Sequence, residues 1–104
     1  MASLFIFAAP LVGLAKRHVS SSKHTVIIEN MAFTPNEIEI RKGDTIVWIN
    51  KDLVPHTVTS TKGEFESGSI SPNQHWSNRI KSSENLDYRC SFHQNMTAKI
   101  KIIK

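Results

Sequence analysis

The sequence contains a single cysteine, Cys90, so an internal disulfide bond is excluded. Disulfides are the usual use of cysteine in an oxidising compartment, where a free thiolate is prone to oxidation unless something occupies it. A bound metal would protect the thiolate. A free cysteine is also one of the most commonly buried residue types. Cys90 is therefore either a core residue or a metal ligand.

Basic runs with interleaved aromatic residues, which are typical of nucleic-acid-binding modules, are also missing. Lys and Arg total 13 and Asp and Glu total 9, which gives a formal net charge of +4. This mild excess predicts attraction to an acidic partner surface, and it affects encounter rates more than the fold. For a length of 104 residues we expect one domain and no second, catalytic domain.

The chain has no apolar run long enough to cross a bilayer. Residues 4–15 are apolar but too few, and they end in the small-x-small triplet Gly13-Leu14-Ala15, typical of a signal-peptide cleavage site. They lack the period-2 alternation of a buried strand, although the following Lys16-Arg17 disfavours translocation. We expect residues 1–15 to be a cleaved signal peptide and residues 16–104 to form one domain. The protein is then periplasmic or otherwise exported, without stable membrane insertion.

Helix-forming apolar repeats are absent after the leader, and the chain is instead typical of short β-strands. Residues 37–41 (E-I-E-I-R) alternate strictly, so Ile38 and Ile40 should face a core. Residues 45–50 (T-I-V-W-I-N) form a more apolar strand, with Trp48 as core filling. Further strands are predicted at residues 24–31, 56–60, 75–80, 86–90 and 97–103. Seven or eight short strands separated by turn signals predict an all-β sandwich or barrel.

The strongest functional signal lies in residues 88–96, Y-R-C-S-F-H-Q-N-M. This segment places Cys90 three residues before His93 and six before Met96. His56 stands at the start of another predicted strand, 34 residues before Cys90. A thiolate, two imidazoles and a thioether as the weak axial ligand make up the blue-copper electron-transfer set. We therefore predict one copper ion bound by His56, Cys90, His93 and Met96.

Each of these residues alone has a simpler explanation. Cys90 and Met96 would most often be core residues, and His56 would most often be a structural or surface histidine. Only their combination at ligand spacing favours a metal. Zinc is a weaker alternative because it prefers Cys, His or carboxylate ligands, and Met is a poor partner for it. His24 and His75 have no companions at ligand spacing and are expected on the surface.

The mature N-terminus supports the hypothesis of an accessory copper site. Cleavage after Ala15 would leave Lys16-Arg17-His18 at the start of the chain. A free amine, two backbone amides and the imidazole of His18 would then offer the square-planar nitrogen set that Cu(II) accepts.

The sequence resembles the small cupredoxins, most closely their amicyanin-like and plastocyanin-like members. The matching motifs are F-T-P-N-E-I-E-I-R-K-G-D-T-I-V-W-I-N, P-H-T-V, G-E-F-E-S-G and Y-R-C-S-F-H-Q-N-M, which follow one another in the family order over residues 25–104. The short C-x-x-H-x-x-M loop looks like that of amicyanin. The resemblance implies a Greek-key β-sandwich that binds one type 1 copper and shuttles single electrons between larger redox proteins.

The resemblance also implies a role for each ligand. His56 and His93 would be the imidazole ligands, Cys90 the thiolate that dominates the electronic structure, and Met96 the long axial ligand. His93 would be the partly exposed edge through which electrons enter and leave.

Three positions depart from the family pattern. Thr57 stands where many members have an Asn that ties the two ligand-bearing loops together, and its hydroxyl would do part of that work. Phe92 stands where amicyanin and plastocyanin have Pro, and Gln94-Asn95 replace the Pro-Phe of amicyanin. These replacements imply a less stiff ligand loop.

We predict a non-enzymatic, exported electron carrier that cycles between Cu(I) and Cu(II). Redox partner proteins would dock near His93, Pro55 and Phe92, on a rim that Gln94 and Asn95 complete, and basic residues around it would set partner choice. The protein is expected to be a monomer. A copper carrier or homeostasis protein with the same ligands is the main alternative, and a metal-free adhesive sandwich is another. A copper oxidase or reductase is disfavoured because type 1 ligation leaves no open position and the sequence has no second His cluster.

Overall fold

The computed structural model describes residues 21–104, which contain eight β-strands and no helix. They are β1 (Lys23–Glu29), β2 (Ala32–Thr34), β3 (Glu37–Arg41), β4 (Thr45–Asn50), β5 (Thr59–Ser60), β6 (His75–Arg79), β7 (Leu86–Cys90) and β8 (His93–Ile103). This part of the chain accordingly offers no helix long and apolar enough to cross a membrane. The predicted leader, residues 1–15, and His18 lie outside the described residues.

The strands form two four-stranded sheets, with the orders β2-β1-β4-β6 and β3-β8-β7-β5. The pairs β1–β4 and β3–β8 are parallel, and the remaining pairs are antiparallel. From β2 to β7 the chain changes sheet at every connection. The two sheets therefore share one core, and the prediction of an all-β sandwich is confirmed.

Alternation along the strands decides which side chains enter this core. In β7 the buried residues Leu86, Tyr88 and Cys90 alternate with exposed ones, and in β4 the buried Ile46 and Trp48 alternate with half-buried ones. Successive side chains of a strand point to opposite faces of its sheet. Cys90 consequently lies on the same core-facing side of β7 as Tyr88.

An aromatic cluster fills the middle of the sandwich. The indole Nε1 of Trp48 donates a hydrogen bond to the hydroxyl of Tyr88 at 3.1 Å. The Tyr88 ring lies 4.8 Å from the ring of Phe33 and 5.5 Å from that of Trp48, between centroids, distances typical of favourable aromatic pairs. Burial raises the pKa of Tyr88, so its hydroxyl keeps its proton. The strand that ends at Cys90 is thus fixed in the core by the aromatic contacts of Tyr88.

The predicted strand at residues 56–60 is shorter in the structure. Only β5, Thr59–Ser60, belongs to a sheet, while His56 makes a single bridge to Ile70. The amide of Thr57 donates to Sγ of Cys90 and the amide of Val58 donates to Oγ of Ser67. Because side-chain atoms take these donors, the segment cannot continue a regular ladder.

The last strand begins earlier than the predicted residue 97. β8 starts at His93, which pairs with Cys90 across a turn of two residues. Arg89 pairs with Thr97, so residues 94–96 of β8 have no partner on β7. Extra residues of this kind form a bulge, which bends a strand and redirects its side chains.

Two sequence expectations near the N-terminal strand also need correction. β1 ends at Glu29 rather than at residue 31, because Asn30 and Met31 form a turn with positive φ angles of 57° each. His24 is half-buried rather than on the surface, and its Nε2 lies 2.9 Å from Oδ2 of Asp44. His75, by contrast, is exposed on β6 as expected.

Candidate metal centre

The donor atoms of His56, Cys90 and His93 come together at one end of the sandwich, all within 4.8 Å of one another. Sγ of Cys90 lies 3.7 Å from Nδ1 of His56 and 3.5 Å from Nδ1 of His93. The two imidazole rings are tilted by 57°, with their centroids 5.0 Å apart. Three of the four predicted ligands therefore meet around one point.

Cys90 is held from two sides. It is the last residue of β7 and is fully buried. The backbone amide of Thr57 donates a hydrogen bond to its Sγ at 3.3 Å. The strand end and this hydrogen bond together fix the position of the sulfur, whose thiolate form is the one that binds metal.

His93 and Met96 are placed by the turn and bulge that follow Cys90. His93 is the first residue of β8 and is half-buried. Met96, the last residue of the bulge, is only 3% exposed and belongs to the same core cluster as Cys90. The turn and the bulge thus leave His93 half-buried but return Met96 to the core, within six residues of Cys90.

His56 arrives from a separate loop that is fixed by Asn50. The Nδ2 of Asn50 donates to the carbonyl oxygens of Val54 and Ile70, both at 2.9 Å, and its Oδ1 accepts the amide of Asp52. Asn50 itself is fully buried. A buried amide with its hydrogen bonds satisfied fixes the path of the chain around it. The backbone between Asn50 and His56 is therefore closely determined.

Asp52 is a component of the centre that the sequence reasoning missed. Nε2 of His56 lies 2.8 Å from Oδ2 of Asp52. The carboxylate also accepts the amides of Asn30 at 2.7 Å and Met31 at 3.0 Å. Burial raises the pKa of Asp52, but these hydrogen bonds outweigh it and the net direction is downward. The only sequence signal was an acidic residue four positions before a candidate ligand.

Thr57 connects the two ligand-bearing loops. Its Oγ1 accepts a hydrogen bond from the amide of Ser91 at 2.7 Å and lies 3.0 Å from the Ser91 hydroxyl. A second hydroxyl, Oγ1 of Thr59, lies 2.9 Å away. The hydroxyl of Thr57 thus makes the link that the family pattern assigns to an Asn, and Ser91 adds to it.

The donor arrangement fits a bound copper ion. Two donors that each lie about 2.0–2.3 Å from a shared ion are roughly 3.5 Å apart at a tetrahedral angle, close to the separations of Sγ from both imidazoles. Among residues 21–104, only His56, Cys90 and His93 contribute a His, Cys, Asp or Glu donor atom to this group. A buried thioether next to it suits copper, whereas structural zinc would require a fourth donor of the His, Cys or carboxylate type.

Exposed apolar side chains surround this end of the molecule. Phe92, in the turn between Cys90 and His93, is 53% exposed. Leu53 and Val54, in the loop that leads to His56, are 93% and 41% exposed, and Met31, whose amide binds Asp52, is 44% exposed. The segments that carry His56, Cys90 and His93 thus also present exposed apolar side chains.

Comparison with known proteins agrees with this description. The family model of copper-binding proteins of the plastocyanin/azurin family matches residues 20–103. The amicyanin of Paracoccus versutus is 27% identical over 92 residues, which cover 84% of this chain and 70% of that protein. The amicyanin of Paracoccus denitrificans is 26% identical over 91 residues, covering 83% and 70%.

Solved structures give the same result. A Cu(I) form of an amicyanin variant superposes with a TM-score of 0.71 and 27% identity, covering 82% of this chain and 86% of that one. A purple cupredoxin from Nitrosopumilus maritimus superposes with a TM-score of 0.70 over 77% of this chain and 99% of its own, at 23% identity. The predictions of a cupredoxin fold, of copper as the cofactor and of electron transfer as the function are confirmed. The chain belongs to the plastocyanin/azurin family of copper-binding proteins.

Proposed function

We propose that this protein is a small exported electron carrier whose copper ion is bound by His56, Cys90, His93 and Met96. The observation that carries the proposal is the approach of both imidazole Nδ1 atoms to Sγ of Cys90, at 3.7 and 3.5 Å. The bound copper would supply a one-electron couple between Cu(I) and Cu(II). Met96 is assigned as the axial ligand because it is buried three residues after His93.

The protein frame would keep the ligands in place while the charge of the copper changes. Cys90 and His93 are paired residues of β7 and β8, and the Thr57 amide is directed at the sulfur. The Thr57 hydroxyl binds the amide of Ser91. A ligand set held by sheet and loop hydrogen bonds rearranges little on oxidation or reduction, which favours fast electron transfer.

The exposure of the ligands indicates where electrons would pass. His56 and Cys90 are fully buried and Met96 nearly so, whereas His93 is half-buried. We place the docking surface for redox partners around His93, on the exposed Phe92 and the neighbouring exposed residues Pro55, Gln94 and Asn95. We expect the carrier to act as a monomer that meets these partners transiently.

Electron transfer is favoured over copper delivery and over catalysis. A metal carrier has to release its ion to an acceptor, and buried ligands oppose such release. Four protein ligands also leave no open position for a substrate. A copper-containing nitrite reductase from Thermus scotoductus shares the fold with a TM-score of 0.72, but this chain covers only 22% of it at 19% identity. We therefore propose that the isolated chain is not an enzyme.

Export is proposed from the leader-like residues 1–15. The family match begins at residue 20, after this segment and the basic pair that follows it. We infer that residues 16–104 are the mature domain. Mass spectrometry of protein from the native cell should give a first residue of Lys16, and an intact Met1 would contradict export by a cleaved leader.

The ligand assignment is tested by adding Cu(II) to the purified protein. An intense visible thiolate-to-copper absorption is expected at one equivalent, and Cys90→Ser should abolish it. His56→Ala should weaken copper binding, whereas the matched control His75→Ala, which removes an exposed imidazole on β6, should leave the spectrum unchanged. A full spectrum in Cys90→Ser would overturn the assignment.

The two roles of such a centre are separated by kinetics. An electron carrier should show a reversible one-electron couple and rapid electron self-exchange between its two redox forms. It should also retain Cu(I) in the presence of an accessible copper-binding acceptor protein. Rapid loss of Cu(I) combined with slow self-exchange would indicate copper delivery.

A further inference from the structure

The carboxylate of Asp52 has an unusual position for a loop residue. Its side chain is only 13% exposed, and Oδ2 lies 2.8 Å from Nε2 of a histidine that is itself fully buried. Both carboxylate oxygens receive backbone amides, Oδ1 that of Asn30 and Oδ2 that of Met31. The carboxylate therefore cannot move away from His56 without losing two further hydrogen bonds.

The contact fixes the position of the proton on the imidazole. A carboxylate only accepts hydrogen bonds, so Nε2 of His56 has to be the donor of the 2.8 Å bond. In the neutral ring the other nitrogen, Nδ1, then carries a free lone pair. Nδ1 is the atom that lies 3.7 Å from Sγ of Cys90. The contact with Asp52 thereby orients the His56 ring so that Nδ1, its metal-binding nitrogen, points toward the sulfur of Cys90.

The contact also places a negative charge next to one ligand only. Among residues 21–104 no carboxylate forms an ion pair with the other imidazole ligand, His93. Electron density donated through His56 would make Nδ1 a stronger ligand. A nearby negative charge stabilises the more positive copper state, so Cu(II) would gain more than Cu(I).

We propose that Asp52 is the positioning residue of the copper centre: it orients His56 with Nδ1 toward the metal, and its charge lowers the reduction potential. This role rests on the proposed function, because it presupposes copper at the neighbouring ligands. It also gives a role to the hydrogen bonds that the Asp52 carboxylate accepts from the backbone amides of the Asn30–Met31 turn. The two backbone amides hold the carboxylate next to the imidazole.

The test separates the charge of Asp52 from its role as a hydrogen-bond acceptor. Asp52→Asn keeps the size and one acceptor oxygen but removes the charge, whereas Asp52→Ala removes both. Asp87→Asn is the matched control, since Asp87 is exposed and pairs only with the exposed Lys99. Two quantities are measured: the midpoint potential of the copper-loaded protein, and the His56 tautomer in the metal-free protein by nitrogen-15 NMR above neutral pH.

Removal of the charge should weaken Cu(II) binding relative to Cu(I). Substitutions of residues that support a metal ligand typically cost 10–100-fold in affinity. At the lower end, a tenfold change in the affinity ratio raises the potential of a one-electron couple by about 59 mV. We expect this increase for Asp52→Asn and none for Asp87→Asn. In the metal-free protein the Nε2–H tautomer should dominate, and Asp52→Ala should redistribute the proton between the two nitrogens.

Two results would overturn the proposal. One is a midpoint potential in Asp52→Asn that matches wild type and the Asp87→Asn control, which would reduce Asp52 to a structural role. The other is a wild-type His56 with its proton on Nδ1. Failure of wild type to bind copper would instead refute the proposed function, and the tautomer measurement on the metal-free protein would still decide whether Asp52 orients the ring.

Discussion

The hydroxyl oxygen of Thr57 accepts the backbone amide of Ser91 at 2.7 Å, which connects the residue after His56 to the residue after Cys90. These two residues are 34 positions apart in the chain. Two ligands contributed by different loops are thus tied together by a bond that does not involve the metal.

Loss of this bond should destabilise the metal-free protein. Thr57→Val keeps the shape of the side chain but leaves the Ser91 amide without its acceptor, which should cost about 1–2 kcal/mol of unfolding free energy. Urea unfolding of the metal-free protein measures the effect. The matched control is Thr97→Val, because Thr97 is exposed on β8 and should change stability by less than about 0.5 kcal/mol. Equal effects of the two substitutions would contradict the linking role.

The contact between Trp48 and Tyr88 should behave as a coupled pair. Tyr88→Phe leaves the buried indole Nε1 without an acceptor and should cost about 1–3 kcal/mol. In Trp48→Phe the indole is already absent, so the same tyrosine substitution should cost less. A double-mutant cycle from urea unfolding gives the difference. Additive effects would show that the 3.1 Å contact contributes nothing to stability.

The proposed docking surface around His93 should affect the rate of electron self-exchange between two copies of the protein. Phe92→Lys places a positive charge on the proposed docking surface of both partners in electron self-exchange, and like charges that face each other oppose association. A cost of about 1.4 kcal/mol would slow self-exchange tenfold, which NMR line broadening of mixed redox forms measures. Ile103→Lys, at the other end of β8 and 39% exposed, is the control and should leave the rate nearly unchanged. Equal slowing would point to net charge rather than to the rim.

Acid should destabilise the fold through Asp44. A hydrogen bond from His24 and the amides of Ser22 and Arg41 lower the pKa of Asp44 from 3.8 to about 2 against the opposing effect of burial. A carboxyl whose pKa is lowered by folding contributes stability above its unfolded value, and this contribution disappears as the pH falls from 3.8 toward about 2. Asp44→Asn should remove that part of the pH dependence, which unfolding curves between pH 5 and pH 2 would show.

The comparison variant for this experiment is Asp87→Asn, which removes a carboxyl that is 59% exposed. It should keep the acid-induced loss of stability seen in wild type. If Asp44→Asn retains the same loss, the destabilisation arises from other groups.

Sequence patterns predicted the regular strands well, and the reason is local. β3, β4 and β7 have the predicted bounds. Strict alternation of apolar and polar residues indicates both the strand and its buried face in β3 and β7, whereas β4 was recognised as a short, more continuously apolar run. The failure at residues 56–58 has a long-range cause. There the amide of Thr57 binds a sulfur atom 33 residues away, and no local pattern reports such a contact.

The same distinction applies to the metal centre. The spacing of Cys90, His93 and Met96 was visible because all three residues lie in one short segment of the sequence. The part played by Asp52 was not visible, since it depends on the amides of Asn30 and Met31, 22 and 21 residues earlier in the chain. Ligand identity is therefore encoded locally, whereas the groups that support a ligand are brought together only by the fold.

The burial of His56, whose backbone is bridged to Ile70, has a consequence for metal exchange. With Cys90 also sealed, His93 is the one donor of the three that meets solvent. A copper ion entering the metal-free protein and a redox partner docking on the copper-loaded protein would then both need access to the exposed side of His93. A bound partner should consequently slow metal exchange, so each electron-transfer encounter would also protect the centre from demetallation.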